Sequence, residues 1–166
     1  ADEDARIVPC AIPAAHHDFF LPWHIQKDAK RRWLEQAILV FGIQLGWDGE
    51  VGLKTEIVPL SKPYGLYAGN VFQGIVKMDG KPVPFAEVEV EYYNQDGKSH
   101  APTDYMVTQT IKTDGNGVFS YATPVSGWWG FAALNPADYK LNHNGEPKDV
   151  ELGAVIWVEF HAWQSR

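Results

Sequence analysis

Three of the six histidines lie close together near the start of the chain, in His16-His17-Asp18 and His24. Imidazole nitrogens beside a carboxylate suit nickel, copper or zinc, so an arm carrying this set is a candidate capture site for a divalent transition metal. The spacing matches no fixed metal motif. An amino-terminal copper/nickel motif needs His at the third position, and Glu3 stands there. Surface or packing histidines with non-specific affinity remain the plain alternative. A second pair sits near the other end of the chain. Strand alternation puts Ile156, Val158, Phe160 and Ala162 on one face and Trp157, Glu159, His161 and Trp163 on the other. Glu159 and His161 would then share a face, roughly 7 Å apart by strand rise. They could hold one ion only with a further ligand between or across from them, which the arm histidines could supply. The alternative is a rim pair between two interface tryptophans.

Other chemistry is less defined. Glu87, Glu89 and Glu91 line one strand face opposite Ala86, Val88, Val90 and Tyr92. Like charges in a row need water, a cation or basic neighbours. A solvated outer face is expected, with Lys112 on a neighbouring strand. A retaining glycosidase needs two carboxyls about 5.5 Å apart flanking a sugar cleft, and nothing marks such a pair. The sequence contains no G-x-S-x-G elbow, P-loop, HExxH or dinucleotide fingerprint. The expectation is a protein that is not an enzyme.

The elements that must carry these residues are mainly strands. In Gly127-Trp128-Trp129-Gly130-Phe131-Ala132-Ala133-Leu134 the two adjacent tryptophans must point to opposite faces, and both faces are apolar. Such a strand needs a cover on its second face. The chain's own first fifty residues, a partner protein or a ligand could provide it. Tryptophans on a sheet face also stack on sugar rings, which keeps a carbohydrate-binding module open. Residues 74 to 134 read as one uninterrupted meander. Strands are expected at Thr55 to Leu60, Val71 to Lys77, Ala86 to Tyr93, Tyr105 to Lys112, Val118 to Thr123, Trp128 to Leu134 and Val150 to Trp163. Asp79-Gly80 should join the second and third of these in a hairpin, and Asp114-Gly115-Asn116-Gly117 the fourth and fifth. Seven short strands with turns between them imply an antiparallel sandwich over residues 51–166. Val88, Val90, Phe119, Tyr121, Phe131, Ile156, Val158 and Phe160 are its expected core.

Ahead of it, residues 1–26 contain Pro9, Pro13 and Pro22 and read as an extended arm, with Phe19, Phe20 and Trp23 as anchors. Residues 27–50 read as a short helix and linker. Ala29, Trp33, Ala37 and Phe41 fall at helical spacing, with Asp28 as N-cap and Gly42 as stop. The run Ile38-Leu39-Val40-Phe41 leaves a strand open there. The arm's anchors, with Trp128, Trp129, Trp157 and Trp163, are the candidate contacts to a protein partner or a second copy.

Composition narrows the classes. The chain has 166 residues, 45% of them hydrophobic and 13% aromatic, which excludes disorder along its whole length. A net charge of −7 argues against nucleic acid, whose phosphates need a basic surface. The basic cluster Lys27, Lys30, Arg31 and Arg32 is diluted by Asp28 and Glu35 and reads as a solvated face. The longest apolar run, Ala37 to Ile43, is far short of the roughly 20 residues of a membrane span. Cys10 is the single cysteine, so no internal disulfide can form. The opening Ala-Asp-Glu-Asp suits a mature product whose export signal has been removed, and equally a trimmed chain.

The pieces Gly46-Trp47-Asp48, Val51 to Leu60, Pro63-Tyr64-Gly65-Leu66, Gly80-Lys81-Pro82-Val83-Pro84, Glu87 to Asn94, Asn116 to Tyr121, Gly127 to Leu134 and Glu151 to Trp157 together resemble a bacterial family of exported proteins. Its members are known as periplasmic components of cobalt/nickel ABC transport systems, and are built on an immunoglobulin-like or prealbumin-like domain. The resemblance spans about residues 46–160 and implies a periplasmic antiparallel β-sandwich tied to nickel or cobalt uptake. Such proteins look as if another β-rich domain precedes this one, where here about fifty residues stand. The function expected from residues and resemblance together is an exported, non-catalytic binding or docking component. A structural subunit packing its arm and tryptophan face into a periplasmic or membrane-associated complex is the alternative.

Overall fold

The computed structural model describes residues 33–39, 47–143 and 145–164. The arm, with Cys10, His16, His17, Asp18, Phe19, Phe20, Trp23 and His24, lies outside the described residues. Among the described residues ten strands follow one another: β1 (Trp33–Leu39), β2 (Thr55–Pro59), β3 (Leu66–Tyr67), β4 (Val71–Met78), β5 (Lys81–Pro82), β6 (Glu87–Tyr92), β7 (Thr108–Lys112), β8 (Val118–Ala122), β9 (Gly127–His143) and β10 (Glu146–His161). The chain is all-β, with a single 3₁₀ turn at Asp104–Met106 among the described residues.

The larger sheet has the order β1-β10-β9-β6-β7, and β3 joins the end of β10. The smaller sheet places β2 on one edge of β4, with β8 and β5 along the other. β1 and β3 run parallel to β10; the other pairings are antiparallel. One core lies between the sheets because alternation delivers one face of each strand to it. Val88, Val90, Trp129, Phe131, Ala133, Ala154, Ile156, Val158 and Phe160 come from the larger sheet, and Ile57, Phe72, Val76 and Phe119 from the smaller. The Phe131 ring stands 4.7 Å from Phe72 and 5.8 Å from Phe119, centroid to centroid. Burying each such ring stabilises the fold by about 1.5–3 kcal/mol. All eight expected core positions face inward: seven are buried, and Tyr121 packs against them half-buried. Buried Asn135 adds a polar tie between the sheets, its Nδ2 donating to Thr55 Oγ1 at 2.9 Å.

Several connections differ from the reading above. The turn at Asp79 (φ 50°) and Gly80 (φ 72°) does make a hairpin, but with the two-residue β5. Pro84 has no N–H to donate, and Phe85 takes φ 59°, so the chain leaves the smaller sheet before β6 begins. β7 likewise pairs with β6, whereas β8 pairs with β4, so Asp114 to Gly117 turns a corner between sheets. Residues 74–134 are therefore not a meander. The two crossovers are stitched together by Thr113, whose hydroxyl donates to Val83 O and accepts from Ala86 N, both at 2.8 Å. Where the short helix was expected, Trp33–Leu39 is strand, in register from Trp33 opposite Val150 to Leu39 opposite Ile156. The free edge of β10 and the β-branched run noted above outweigh the helical spacing. Asp28 and Gly42 lie outside the described residues.

β9 and β10 also run far beyond Leu134 and ahead of Val150, as one long hairpin. A bulge at Asp149/Glu151 marks the change, with Glu151 opposite Pro136, a residue that cannot donate to a ladder. Proximal to it the strands are mostly buried up to their rim ends; distal to it they carry surface ion pairs such as Lys140–Asp149 at 2.9 Å.

Candidate functional site

Strand direction gathers one set of chain segments at one end of the molecule. β2, β6, β8 and β10 finish there, and β4, β7 and β9 start there, as the pairs Pro59–Gly74, Ala122–Val71, Tyr92–Trp129 and Phe160–Gly127 require. At this end the larger sheet turns a group of aromatic and polar side chains away from the core. Trp128 on β9 is opposite Glu159 on β10, so the two share the outer face with Cα atoms about 5 Å apart. His161 follows on that face, and Tyr67 on β3 stands beside it in register. Trp163, just past the strand end, sets its ring edge-on to Tyr67 at 5.0 Å. Trp128, Tyr67 and Trp163 are 40%, 41% and 75% exposed. The result is a diagonal rim across three strands: Trp128, Glu159, His161, Tyr67, Trp163.

The backbone beneath the rim is tied down. Tyr67 N donates to Asn70 Oδ1, Asn70 N to Tyr67 O and Ala68 N to His161 O, each at 2.9 Å. On the β9 side, Gly127 has φ +127°, and a Cβ there would lie 2.6 Å from the Tyr92 ring. That close approach lets Tyr92 pack edge-on against Trp129 at 5.3 Å and leaves Trp128 pointing outward. Tyr93 N bonds Trp128 O at 2.8 Å. The neighbouring loop adds Lys62 over the Tyr64 ring at 4.6 Å.

Of the tryptophans singled out as partner contacts, Trp128 and Trp163 are exposed, Trp157 is half-buried, and Trp129 is a core residue only 5% exposed. Trp129 is thus corrected from contact to core: it occupies the inner phase of β9, and its Nε1 donates to Val125 O at 3.1 Å. Trp157 lies over Gly130, where a Cβ would come within 2.9 Å of its ring, and meets Tyr93 edge-on at 5.7 Å. Ala132 and Val155 further along the same outer face are 3% exposed within this single chain. β10 ends at His161, so Ala162 does not continue the core-facing set as expected.

Glu159 and His161 do share a face, two residues apart, but the described residues bring no third ligand to them. Among the described residues no group of three His, Cys, Asp or Glu is placed to hold a metal ion. On the acidic strand, Glu87 meets Lys112 at 3.4 Å as expected. Glu91 departs from the solvated reading: it is 9% exposed and accepts from the Thr108 hydroxyl. Sequence reasoning missed Tyr67, since the two-residue β3 is too short to show alternation. Its signal was the turn Tyr67-Ala68-Gly69-Asn70, with Gly69 at φ +89°.

A family described as a domain of unknown function (DUF4198) matches residues 12–137. The chain belongs to this family. The match takes in residues well ahead of 46 and stops beside the bulge, before β10. No curated protein and no solved structure matches the chain. No helix among the described residues is long and apolar enough to cross a membrane.

Proposed function

We propose that this chain is an exported, non-catalytic binding module, a sandwich of the immunoglobulin-like or prealbumin-like kind, acting in nickel or cobalt uptake. The observation that carries the binding role is the rim itself. Three large rings stand exposed at or just past hydrogen-bonded strand ends, beside one carboxylate and one imidazole, at the end where the loops converge. Exposed aromatic side chains of this kind anchor ligands and partners because they bury much area and have few rotamers to lose.

The metal part of the reading is supported by the resemblance to cobalt/nickel transport components and by Glu159 and His161 on one face. Those two would need a third ligand, and His16, His17, Asp18 and His24 are the candidates, outside the described residues. Calorimetric titration of the full chain with Ni²⁺ or Co²⁺ tests it. We expect about one equivalent bound at neutral pH, lost on combined His16→Ala and His17→Ala replacement and weakened at least tenfold by His161→Ala. Binding untouched by His161→Ala would place the metal in the arm alone. A chain that takes up no metal and sediments as a monomer without a partner would sink the transport reading.

A further inference from the structure

Among the described residues, the rim combines flat apolar surfaces with hydrogen-bonding groups between them. We propose that it is a carbohydrate site that takes a pyranose oligosaccharide, which rests on the binding-module reading above and names its ligand class. A pyranose ring has an apolar face of C–H groups and a perimeter of hydroxyls that donate and accept. A complementary surface needs aromatic planes for the first and charged or amphoteric side chains for the second. The rim supplies both in alternation. Trp128 is followed by Glu159, an acceptor, then by His161, which can donate and accept, then by Tyr67 and Trp163. Trp128 and Tyr67 stand on strands either side of β10, two inter-strand spacings or roughly 10 Å apart across the sheet. That distance leaves room for an intervening sugar above Glu159 and His161.

Other occupants fit less well. The centre of a protein interface is depleted in charge, whereas here a carboxylate sits between the rings. A metal ion alone would leave the three rings without a role. Trp128 offers part of its ring to a ligand, being 40% exposed.

The test uses the full chain and three probes: oligomers of β-1,4-linked glucose, of β-1,4-linked N-acetylglucosamine and of α-1,4-linked glucose. Tryptophan fluorescence and calorimetry read binding. We expect saturable binding of at least one probe, weakened tenfold or more by Trp128→Ala and by Tyr67→Ala, and weakened by Glu159→Gln. Trp163→Ala lies beyond the last strand and should keep the fold intact while weakening binding, so it guards against a variant that merely unfolds. No saturable binding of any probe overturns the inference, as does binding that survives all four replacements. The same preparation titrated with Ni²⁺ separates the two readings. Metal uptake without glycan binding removes the ligand class alone, whereas loss of both removes the binding module.

Discussion

The two ends of this fold are built from different materials. At the crossover end, polar groups close on one another: Thr113 is 2% exposed and joins Val83 to Ala86, and Phe85 N reaches Asp114 O at 3.4 Å. At the rim end, large rings remain in solvent beside a carboxylate and an imidazole. Both ends are anchored to the same core, so stability does not require the rings to be exposed. A connection whose only duty is to change sheets is satisfied by hydrogen bonds. The crossover end also leaves one ring, Phe85, 68% exposed, whereas the rim end groups Trp128, Tyr67 and Trp163 around a carboxylate and an imidazole.

The neighbours Trp128 and Trp129 compress that contrast into one peptide. Trp129 stands 5.9 Å from Tyr121 and 5.3 Å from Tyr92 inside the core, while Trp128 faces out. The largest expected effect is therefore on the inner phase. Trp129→Ala and Phe160→Ala should each cost about 3–5 kcal/mol, because a large buried ring leaves a cavity its neighbours fill only partly. Chemical denaturation with matched slopes measures it. An unchanged midpoint in either variant would place these residues on the wrong face and merge the two ends into one kind of surface.

Next comes the polar closure. Thr113→Val keeps shape but leaves Ala86 N without its acceptor and Val83 O without its donor, at a cost of about 1–3 kcal/mol. A Thr113→Ser variant retains the hydroxyl and should recover part of the loss. If valine and serine destabilise equally, the crossovers are held by packing and not by this bond.

The corner turn gives a smaller, pH-dependent effect. Asp114 Oδ1 accepts from Val118 N at 2.9 Å and Asn116 N at 2.8 Å, and these bonds hold its carboxyl below the usual aspartate value. A carboxylate whose pKa is depressed in the fold adds stability that is present above its unfolded value and lost as pH falls through the folded one. The melting temperature of the native chain should therefore exceed that of Asp114→Asn near neutrality. The gap should close as pH falls below about 4, the unfolded aspartate value, and through the depressed value of the fold. A constant gap would mean that the turn is held by geometry, with no charge involved.

Much of this was legible in the sequence, and the boundary is physical. Alternation assigned Val88, Val90, Phe131, Ile156, Val158 and Phe160 to the core correctly, because period-two burial is a local property of each strand. Asp79-Gly80 and Asp114 to Gly117 were recognisable as turns. Which sheet a strand joins after a turn is not local. It depends on Pro84 and Phe85 breaking one ladder and on Thr113 closing the corner, and neither Thr113 bond has a sequence signature. The helical spacing of Trp33 and Ala37 misled for a similar reason: β10 offers Trp33–Leu39 an edge that only the assembled sheet contains. At the rim, Glu159 and His161 were placed together by alternation, while Tyr67 joined them through a parallel pairing between residues nearly a hundred positions apart.

A smaller stability effect is expected at Trp128 than at its neighbour. With 40% of its surface exposed against 5% for Trp129, Trp128 has less apolar area to return to water, so Trp128→Ala should cost clearly less than the about 3–5 kcal/mol of Trp129→Ala. This pair isolates orientation from composition, since both variants lose an indole from adjacent positions of one strand. A large loss at Trp128 would mean that its ring is part of the packed structure and is not held in reserve for a ligand. A much smaller midpoint shift for Trp128→Ala than for Trp129→Ala, with a weakened rim ligand, would show that the exposed ring serves binding and the buried one serves the fold.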